Sequence, residues 1–343
     1  MQETNIIDKI KERYTQYNLS RVESLDMLRA SDLRRLCFDV GASLVILAFL
    51  EIILKNVALY LTSLIIHIFF SDPSPVVSTI ITYFYASVVS YVPKFITFFV
   101  LYQKYKKLGH LLPTYTNLPS FPAIMLLATF SFGMCGSQIT ELISSIFQLL
   151  FGTGAIPDVM EQTAPSDSSS GLVMLFFSAI VAPICEELIY RKLLLGSLRP
   201  MGDTPAILVS SLIFGLAHGN FDQFAYAALS GLVFGVIAVR YKSIVPTILL
   251  HVANNLLVSV SVYEQILLTG NKIVDAVITA VSTVAGIITF IAYFAMPVVM
   301  IAFGLCGIAK LKPVTGEDKK EKLMTVFCPA LIFGLFVMLM KFA

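Results

Sequence analysis

Charge is scarce in this sequence. Only 13% of its 343 residues are Asp, Glu, Lys or Arg, whereas soluble domains average about 25%. Apolar residues make up 57% of the chain, its mean hydropathy is +0.83, and apolar runs of about twenty residues recur along it. These features exclude a soluble globular protein and predict a multi-pass integral protein of the cell membrane.

Paired cysteines and several familiar catalytic motifs are also missing. The five cysteines have no paired spacing, which argues against a disulfide framework or a cysteine-based zinc site. The sequence has no HExxH zincin motif, no GxGD aspartate pair, no nucleophile-elbow serine and no P-loop. The sequence also lacks a basic patch with interleaved aromatic residues, which would indicate nucleic acid as a partner. Several enzyme classes and nucleic-acid binding are therefore excluded.

The hydropathy pattern predicts an all-α fold, a polytopic transmembrane helical bundle of about eight to nine spans. The first 36 residues are polar, show no signal peptide and are predicted to form a cytoplasmic N-terminal segment, 1–36. An N-terminal transmembrane region, 37–170, a central core, 171–262, and C-terminal helices, 263–343, follow. Gly231 and Gly235 in the sixth span predict close helix packing. The predicted spans are 39–67, 76–102, 120–150, 171–196, 205–218, 222–240, 244–262, 275–309 and 323–341.

Basic residues lie mostly on one side of these spans. They cluster before the first span, after the second, at the ends of the fourth and sixth, and between the last two. The loop 153–170 carries acidic residues and no basic residue. By the positive-inside rule, the basic side is the cytoplasm. We therefore expect a cytoplasmic N-terminus and an outer position for the 153–170 loop.

The fourth predicted span carries three ionisable residues within six positions, namely Glu186, Glu187 and Arg191. A charge inside hydrocarbon costs roughly 3 kcal/mol on insertion scales, so the cluster indicates a functional site. Arg191 follows Glu187 by four residues, which places both on one helix face and predicts an ion pair. Glu186 points about 100° away. We interpret Glu186 as a general base and the Glu187–Arg191 pair as its support.

Two later spans contain a histidine with a partner one helical turn away. Phe214 and His218 share a face of the fifth span, and His251 and Asn255 share a face of the seventh. At 1.5 Å per residue, Glu186, His218 and His251 lie roughly 10 to 21 Å from the cytoplasmic ends of their helices. Polar groups at such depth are tolerated around a cavity or in mutual contact. We therefore expect one water-filled pocket to hold all three.

Other charges in the predicted spans have structural interpretations. Glu51 and Lys55 are four residues apart and are predicted to pair with each other. Asp39 and Lys94 lie near span ends, where their side chains can reach the membrane interface. Glu141 has no partner at helical spacing, and we expect it to form a hydrogen bond to a neighbouring helix. None of these residues is predicted to belong to the site.

The three motifs, taken in order on separate spans, resemble those of a known family. They read Glu-Glu-x-x-x-Arg, Phe-x-x-x-His and His-x-x-x-Asn, and here they comprise Glu186, Glu187, Arg191, Phe214, His218, His251 and Asn255. The set is similar to that of the CPBP family, the CAAX proteases and bacteriocin-processing enzymes, also called Abi. This family includes the eukaryotic Ras-converting CAAX endopeptidase. The resemblance covers roughly 171–260 and implies an all-helical intramembrane endopeptidase whose catalytic core is 171–262 and whose site contains all seven residues.

The resemblance also implies roles for these residues. The glutamate matching Glu186 activates a water with help from the histidine matching His218, and the pair matching His251 and Asn255 stabilises the oxyanion. Some family members are classed as metalloproteases, and two histidines with one glutamate could bind zinc or another divalent metal. A glutamate-activated water needs no metal, so the sequence leaves this alternative open. The implied partners are a peptide or membrane-protein substrate and the lipid bilayer.

Three functions remain in competition. The first is a cytoplasm-accessible intramembrane endopeptidase. The second is a non-catalytic membrane scaffold or bacteriocin self-immunity protein of the same fold, which keeps the motifs for folding. The third is a proton-coupled transporter with Glu186 and the histidines as a relay, but transporters show paired broken helices in two halves and this sequence has no such symmetry. We favour the endopeptidase because every motif residue is present.

Overall fold

The computed structural model describes residues 30–69, 74–105, 123–151, 167–303 and 328–340. Across these ranges the chain forms helices and no strand, so the predicted all-α fold is confirmed. Most of the predicted N-terminal segment 1–36 and of the outer loop 153–170 lies outside the described residues. The helices are α1 (Ala30–Phe69), α2 (Pro75–Tyr105), α3 (Ala123–Phe151), α4 (Ser168–Met201), α5 (Asp203–Leu216), α6 (Phe221–Tyr241), α7 (Val245–Leu267), α8 (Lys272–Phe303) and α9 (Pro329–Leu339).

Within the described ranges, six helices are long and apolar enough to cross a membrane. They are α1, α2, α4, α6, α7 and α8, while α5 and α9 are shorter apolar helices. The protein is therefore a multi-pass integral membrane protein, but the predicted count of eight to nine spans is not confirmed. Helix α8 continues through Pro297. Helix α4 begins at Ser168, before the predicted core, 171–262, and helix α7 ends at Leu267, after it.

Local signals set the ends of the helices that later form the site. The Asp167 side chain caps α4 by accepting a hydrogen bond from the Ser170 amide, and the Asn220 side chain caps α6 through the Gln223 amide. Both residues satisfy backbone donors that have no partner inside the helix. Lys242 ends α6 in the left-handed conformation, and Pro246 lies in the first turn of α7. The turns at both ends of α6 are therefore encoded locally.

The largest buried cluster joins helices from distant parts of the sequence. It includes Leu44 of α1, Phe98 of α2, Leu194 of α4, Ile213 of α5 and Leu331 of α9, each at most 3% exposed. A fully buried side chain of this kind typically touches six to twelve other residues. The C-terminal half of α4 is thus held from several sides, which fixes the helix that carries the two glutamates.

Helices α5 and α6 approach closely at two glycines, as the sequence predicts. A Cβ added at Gly231 would lie 3.1 Å from Cδ1 of Phe214, and one at Gly235 would lie 2.8 Å from Cγ2 of Ile207. Both distances are shorter than ordinary carbon contacts of about 3.5–4.0 Å. The missing side chain at Gly231 therefore makes room for the Phe214 ring.

A second pair of glycines brings α9 against α1. A Cβ at Gly41 would lie 2.1 Å from the carbonyl oxygen of Ala330, and one at Gly334 would lie 2.6 Å from the carbonyl oxygen of Gly41. We therefore expect Gly41→Ala to push α9 away and lower the free energy of unfolding by about 1–3 kcal/mol, the usual cost of overpacking. Denaturant unfolding in detergent measures this change.

The matched control is Gly286→Ala in α8, where an added Cβ meets no atom within 4 Å. This substitution is expected to leave the stability unchanged or slightly higher, because alanine favours a helix more than glycine does. Equal stability of the two variants would contradict the close contact between α1 and α9.

Candidate active site

A cavity of about 530 Å³ lies between α2, α3, α4, α5, α6 and α7. Five of the seven residues predicted for the site line it: Glu186, Phe214, His218, His251 and Asn255. Glu187 and Arg191 lie behind the wall in the packed core. The structure thus brings the three motifs together around one cavity inside the membrane-spanning bundle.

Helix α4 changes its pitch at the two glutamates. It is π-helical over Phe177–Val181 and Glu187–Leu195, with an α-helical turn, Ala182–Glu186, between these segments. Turns of π-helix are rare and occur frequently at functional sites. Glu186 closes the α-helical turn and Glu187 opens the second π-helical segment. The two carboxylates therefore leave the helix at a junction and meet different neighbours.

Glu187 and Arg191 form a buried ion pair, in agreement with their spacing. Both side chains are 0% exposed, and Arg191 Nε lies 3.4 Å from Glu187 Oε2. The guanidinium carbon lies 4.6 Å from the ring centroid of Phe214 and 5.6 Å from that of Phe234. Aromatic faces attract a cation electrostatically. Arg191 thus has both a counter-ion and two aromatic contacts in a site that excludes water.

His251 lies between the two carboxylates. Its Nδ1 is 3.1 Å from Glu187 Oε1, at hydrogen-bond distance, and its Nε2 is 3.6 Å from Glu186 Oε2, just beyond it. The imidazole stacks on the Phe234 ring with centroids 4.9 Å apart. Glu187 therefore orients His251 in addition to pairing with Arg191, a connection that the sequence analysis did not make.

Glu186 has a further partner on a distant helix. The Tyr91 hydroxyl of α2 donates a hydrogen bond to Glu186 Oε1 at 3.1 Å, and Tyr91 also lines the cavity. The two residues are 95 positions apart, so no local spacing could have indicated the contact. The bond fixes one carboxylate oxygen of Glu186, while Oε2 faces His251.

His218 is oriented by the helix that precedes it. Its Nδ1 lies 2.9 Å from the carbonyl oxygen of Phe214, one turn earlier. Because a carbonyl only accepts hydrogen bonds, Nδ1 carries the proton, and a neutral ring keeps its lone pair on Nε2. The Phe214 ring packs edge-on against the imidazole, with centroids 5.1 Å apart. The Phe-x-x-x-His spacing therefore sets both the tautomer and the orientation of His218.

Asn255 is anchored by one of its two amide hydrogens. Its Nδ2 donates to the carbonyl oxygen of Ser178 at 3.0 Å, which leaves a second N–H for a ligand. Its neighbour Asn254 is buried and donates to Tyr226 Oη at 2.7 Å and to Asn255 Oδ1 at 3.3 Å. The sequence analysis missed Asn254, although a second amide in an apolar helix was a signal. Asn254 holds Asn255 in place.

The predictions for two charged residues were wrong. Lys94 does not reach the membrane interface, because it is 5% exposed, lines the cavity and pairs with Glu51 at 3.1 Å. Its ammonium group also donates to Ser90 Oγ at 2.8 Å. Glu51 thus pairs with Lys94 instead of Lys55, which is exposed. A buried lysine requires a counter-ion, and this requirement outweighs a pairing along the helix surface. Glu141, expected to contact a neighbouring helix, is exposed.

Two imidazoles and a carboxylate of the site are side chains of the types that bind zinc. Within the described ranges, no group of three or more His, Cys, Asp or Glu side chains is placed to hold a metal ion. His251 directs one nitrogen at each glutamate, and the Nδ1 of His218 contacts a carbonyl. The remaining nitrogen of each ring, Nε2, is the one that would bind a metal ion together with Glu186, and the mechanism below is derived from the side chains alone.

The part of the chain that carries the three motifs is similar to a known family. Residues 168–257 match the family model described as type II CAAX prenyl endopeptidase Rce1-like. This stretch contains all three motifs, α4, α5, α6 and half of α7. This part of the chain is therefore similar to the CPBP family of membrane CAAX proteases, as the motifs predicted.

Two curated relatives share part of this region. The chain is 33% identical over 141 residues to the putative membrane peptidase YdiL of Bacillus subtilis (strain 168), which covers 41% of this chain and 54% of that protein. It is 32% identical over 90 residues to the membrane-embedded CAAX protease MroQ of Staphylococcus aureus (strain USA300), which covers 24% and 36%. The match thus spans about half of the first relative and less of the second. No solved structure matches the chain.

Proposed function

We propose that this protein is an intramembrane endopeptidase that hydrolyses a peptide bond with a water molecule activated by Glu186 and His218. The observation that carries the proposal is the shared cavity, on whose wall a carboxylate, two imidazoles and an amide converge. The similarity to two proteins named as peptidase and protease supports the same reaction class.

The first step is attack by water on the carbonyl carbon. Glu186 accepts one proton of the water through Oε2, because Oε1 already accepts the Tyr91 hydroxyl. His218 Nε2 accepts a hydrogen bond from the other hydrogen, which directs the water oxygen toward the substrate. A carbon–oxygen bond forms, and the carbonyl electrons move onto the substrate oxygen.

The second step is collapse of the tetrahedral intermediate. The oxyanion accepts a hydrogen bond from the second amide N–H of Asn255, and another from His251 Nε2 when that nitrogen carries a proton. The proton held by Glu186 passes to the leaving nitrogen, the carbon–nitrogen bond breaks, and an amine and a carboxyl group result. Glu187 and Arg191 act as positioning residues because they hold His251 and touch no reacting atom.

Hydrolysis of a library of hydrophobic peptides by the purified protein in detergent tests this function, with products identified by mass spectrometry. We expect cleavage at defined bonds, and we expect it to persist with a zinc chelator. Cleavage that stops on chelation would contradict the metal-free mechanism. Intact peptides throughout would favour the scaffold or self-immunity alternative.

The contact between Tyr91 and Glu186 gives a separate prediction. We expect Tyr91→Phe to lower kcat about 10- to 100-fold with little change in KM, because a hydrogen bond to a charged group contributes about 1.5–3 kcal/mol. Tyr85→Phe on the same helix removes a hydroxyl that donates to the Lys55 carbonyl outside the cavity, and it is expected to keep full activity. Equal activity of the two variants would remove Tyr91 from the mechanism.

A further inference from the structure

The cavity extends from the reacting groups toward one end of α4 and of α7. On α4 its lining runs from Glu186 back to Ser178, and on α7 it runs from His251 forward to Ser259. The two ends of each stretch are eight positions apart, which corresponds to about 12 Å along a helix. Because α4 and α7 run in opposite directions, these two stretches lead away from the glutamate on the same side.

The parts of α5 and α6 that line the cavity lie on the same side of the site. The lining of α5 begins at Phe214 and ends at His218, beyond the C-terminal end of that helix, and the lining of α6 runs from Phe234 back to Gln223, near its N-terminal end. The turn between the two helices therefore borders the cavity. Four helices thus agree on the side of Glu186 on which the cavity lies.

The opposite direction is closed by packed side chains. Beyond Glu186 along α4, Tyr190 forms the floor, and Glu187, Arg191 and Leu194 are at most 2% exposed. The residues that continue this layer on the neighbouring helices are also buried, namely Ile207, Ser210, Ile213, Val236, Val239, Ile244, Thr247 and Leu250. A peptide cannot reach Glu186 through this layer without unpacking the core.

The closed end is the end that carries the basic residues. Lys104 lies in the last turn of α2, Arg199 in the last segment of α4, and Arg240 in the last turn of α6. By the positive-inside rule this end faces the cytoplasm. The cavity thus lies on the extracytoplasmic side of Glu186, whereas the sequence alone led us to expect cytoplasmic access.

We propose that the substrate of this site is a peptide segment that enters from the extracytoplasmic side of the membrane. That the entering peptide is a substrate rests on the proposed function. The direction of access rests only on the position of the cavity. The wall on this side of Glu186 includes four polar side chains, those of Ser137, Ser259, Gln223 and Asn255. Such a wall can solvate a peptide backbone, which lipid cannot.

Cysteine labelling tests the direction of access without any need for proteolysis. Ser259→Cys and Ser137→Cys place thiols in the cavity on two different helices, and both changes are nearly isosteric. Arg240→Cys and Lys272→Cys are matched controls, because both residues are exposed and lie at opposite ends of the bundle. Each variant is treated with a membrane-impermeant maleimide in intact cells and in inverted vesicles. Mass spectrometry of the modified peptide distinguishes the introduced cysteine from the natural ones.

We expect both cavity cysteines to react in intact cells together with Lys272→Cys, while Arg240→Cys reacts only in inverted vesicles. Reaction of the cavity cysteines only from the Arg240 side, or from neither side while the controls react, would overturn the proposal. The proposal would also be overturned if Arg240→Cys reacted in intact cells and Lys272→Cys reacted only in inverted vesicles. A protein that labels as expected but cleaves no peptide would leave the direction of access intact and would count only against the proposed hydrolysis.

Discussion

Glu186→Gln is expected to lower kcat for peptide hydrolysis about 100- to 10,000-fold, the range by which a positioned acid or base accelerates a reaction. Glutamine keeps the size of the side chain and an oxygen that can accept the Tyr91 hydroxyl bond. It cannot take a proton from water. The variant should therefore insert, fold and bind peptide normally, so KM should change much less than kcat. Rates with the best peptide from the library measure both constants.

The matched control for this experiment is Glu141→Gln. Glu141 is an exposed glutamate of α3 that does not line the cavity, so the same change of charge there should leave hydrolysis unaffected. Hydrolysis by Glu186→Gln at the rate of the wild type would exclude Glu186 as the base. A parallel loss of rate in both variants would instead point to a general effect of charge on the protein.

Arg191→Met is expected to cost about 3–5 kcal/mol of stability, because it leaves Glu187 buried without its cation. The hydrogen bond from His251 to Glu187 remains but cannot replace the charge of the guanidinium. Methionine preserves part of the volume between the two phenylalanine rings, so most of the effect is electrostatic. Denaturant unfolding in detergent gives the change in free energy.

The double variant Glu187→Gln with Arg191→Met isolates the ion pair. It should be more stable than Arg191→Met alone, because a neutral amide in the same place carries no uncompensated charge. Arg240→Met, at an exposed position at the end of α6, should change the stability by about 0.5 kcal/mol or less. Additive losses in the double variant would contradict a direct interaction between Glu187 and Arg191.

The parts of this fold that could be predicted from sequence are those encoded over short distances. Hydropathy predicted an apolar span at each of the nine helices in the described residues, and the bounds of α6 lie within one residue of its predicted span, 222–240. The spacing of Glu187 and Arg191 predicted their contact for the same reason. The π-helical segments of α4 were not predicted, because hydropathy is insensitive to the pitch of a helix in the core.

The parts that could not be predicted are contacts between helices. Tyr91 and Lys94 lie on α2, far from the motifs in sequence, and only the packing of α2 on α4 brings them to the cavity. The position of His251 between two carboxylates likewise depends on how α7 meets α4. The motifs identified the chemical groups of the site, while their connections required tertiary structure.

The close packing of α9 on α1 has a consequence for how the protein is made. Gly41 and Ala330 are separated by roughly 290 residues, and contacts over such a distance form late because the intervening chain must be present first. On the ribosome, α1 is inserted long before α9 exists. The buried face of α1 must therefore stay against lipid, against other helices or against the insertion machinery until α9 emerges. Assembly of the layer that supports α4, and with it the alignment of Glu186, is consequently completed near the end of translation.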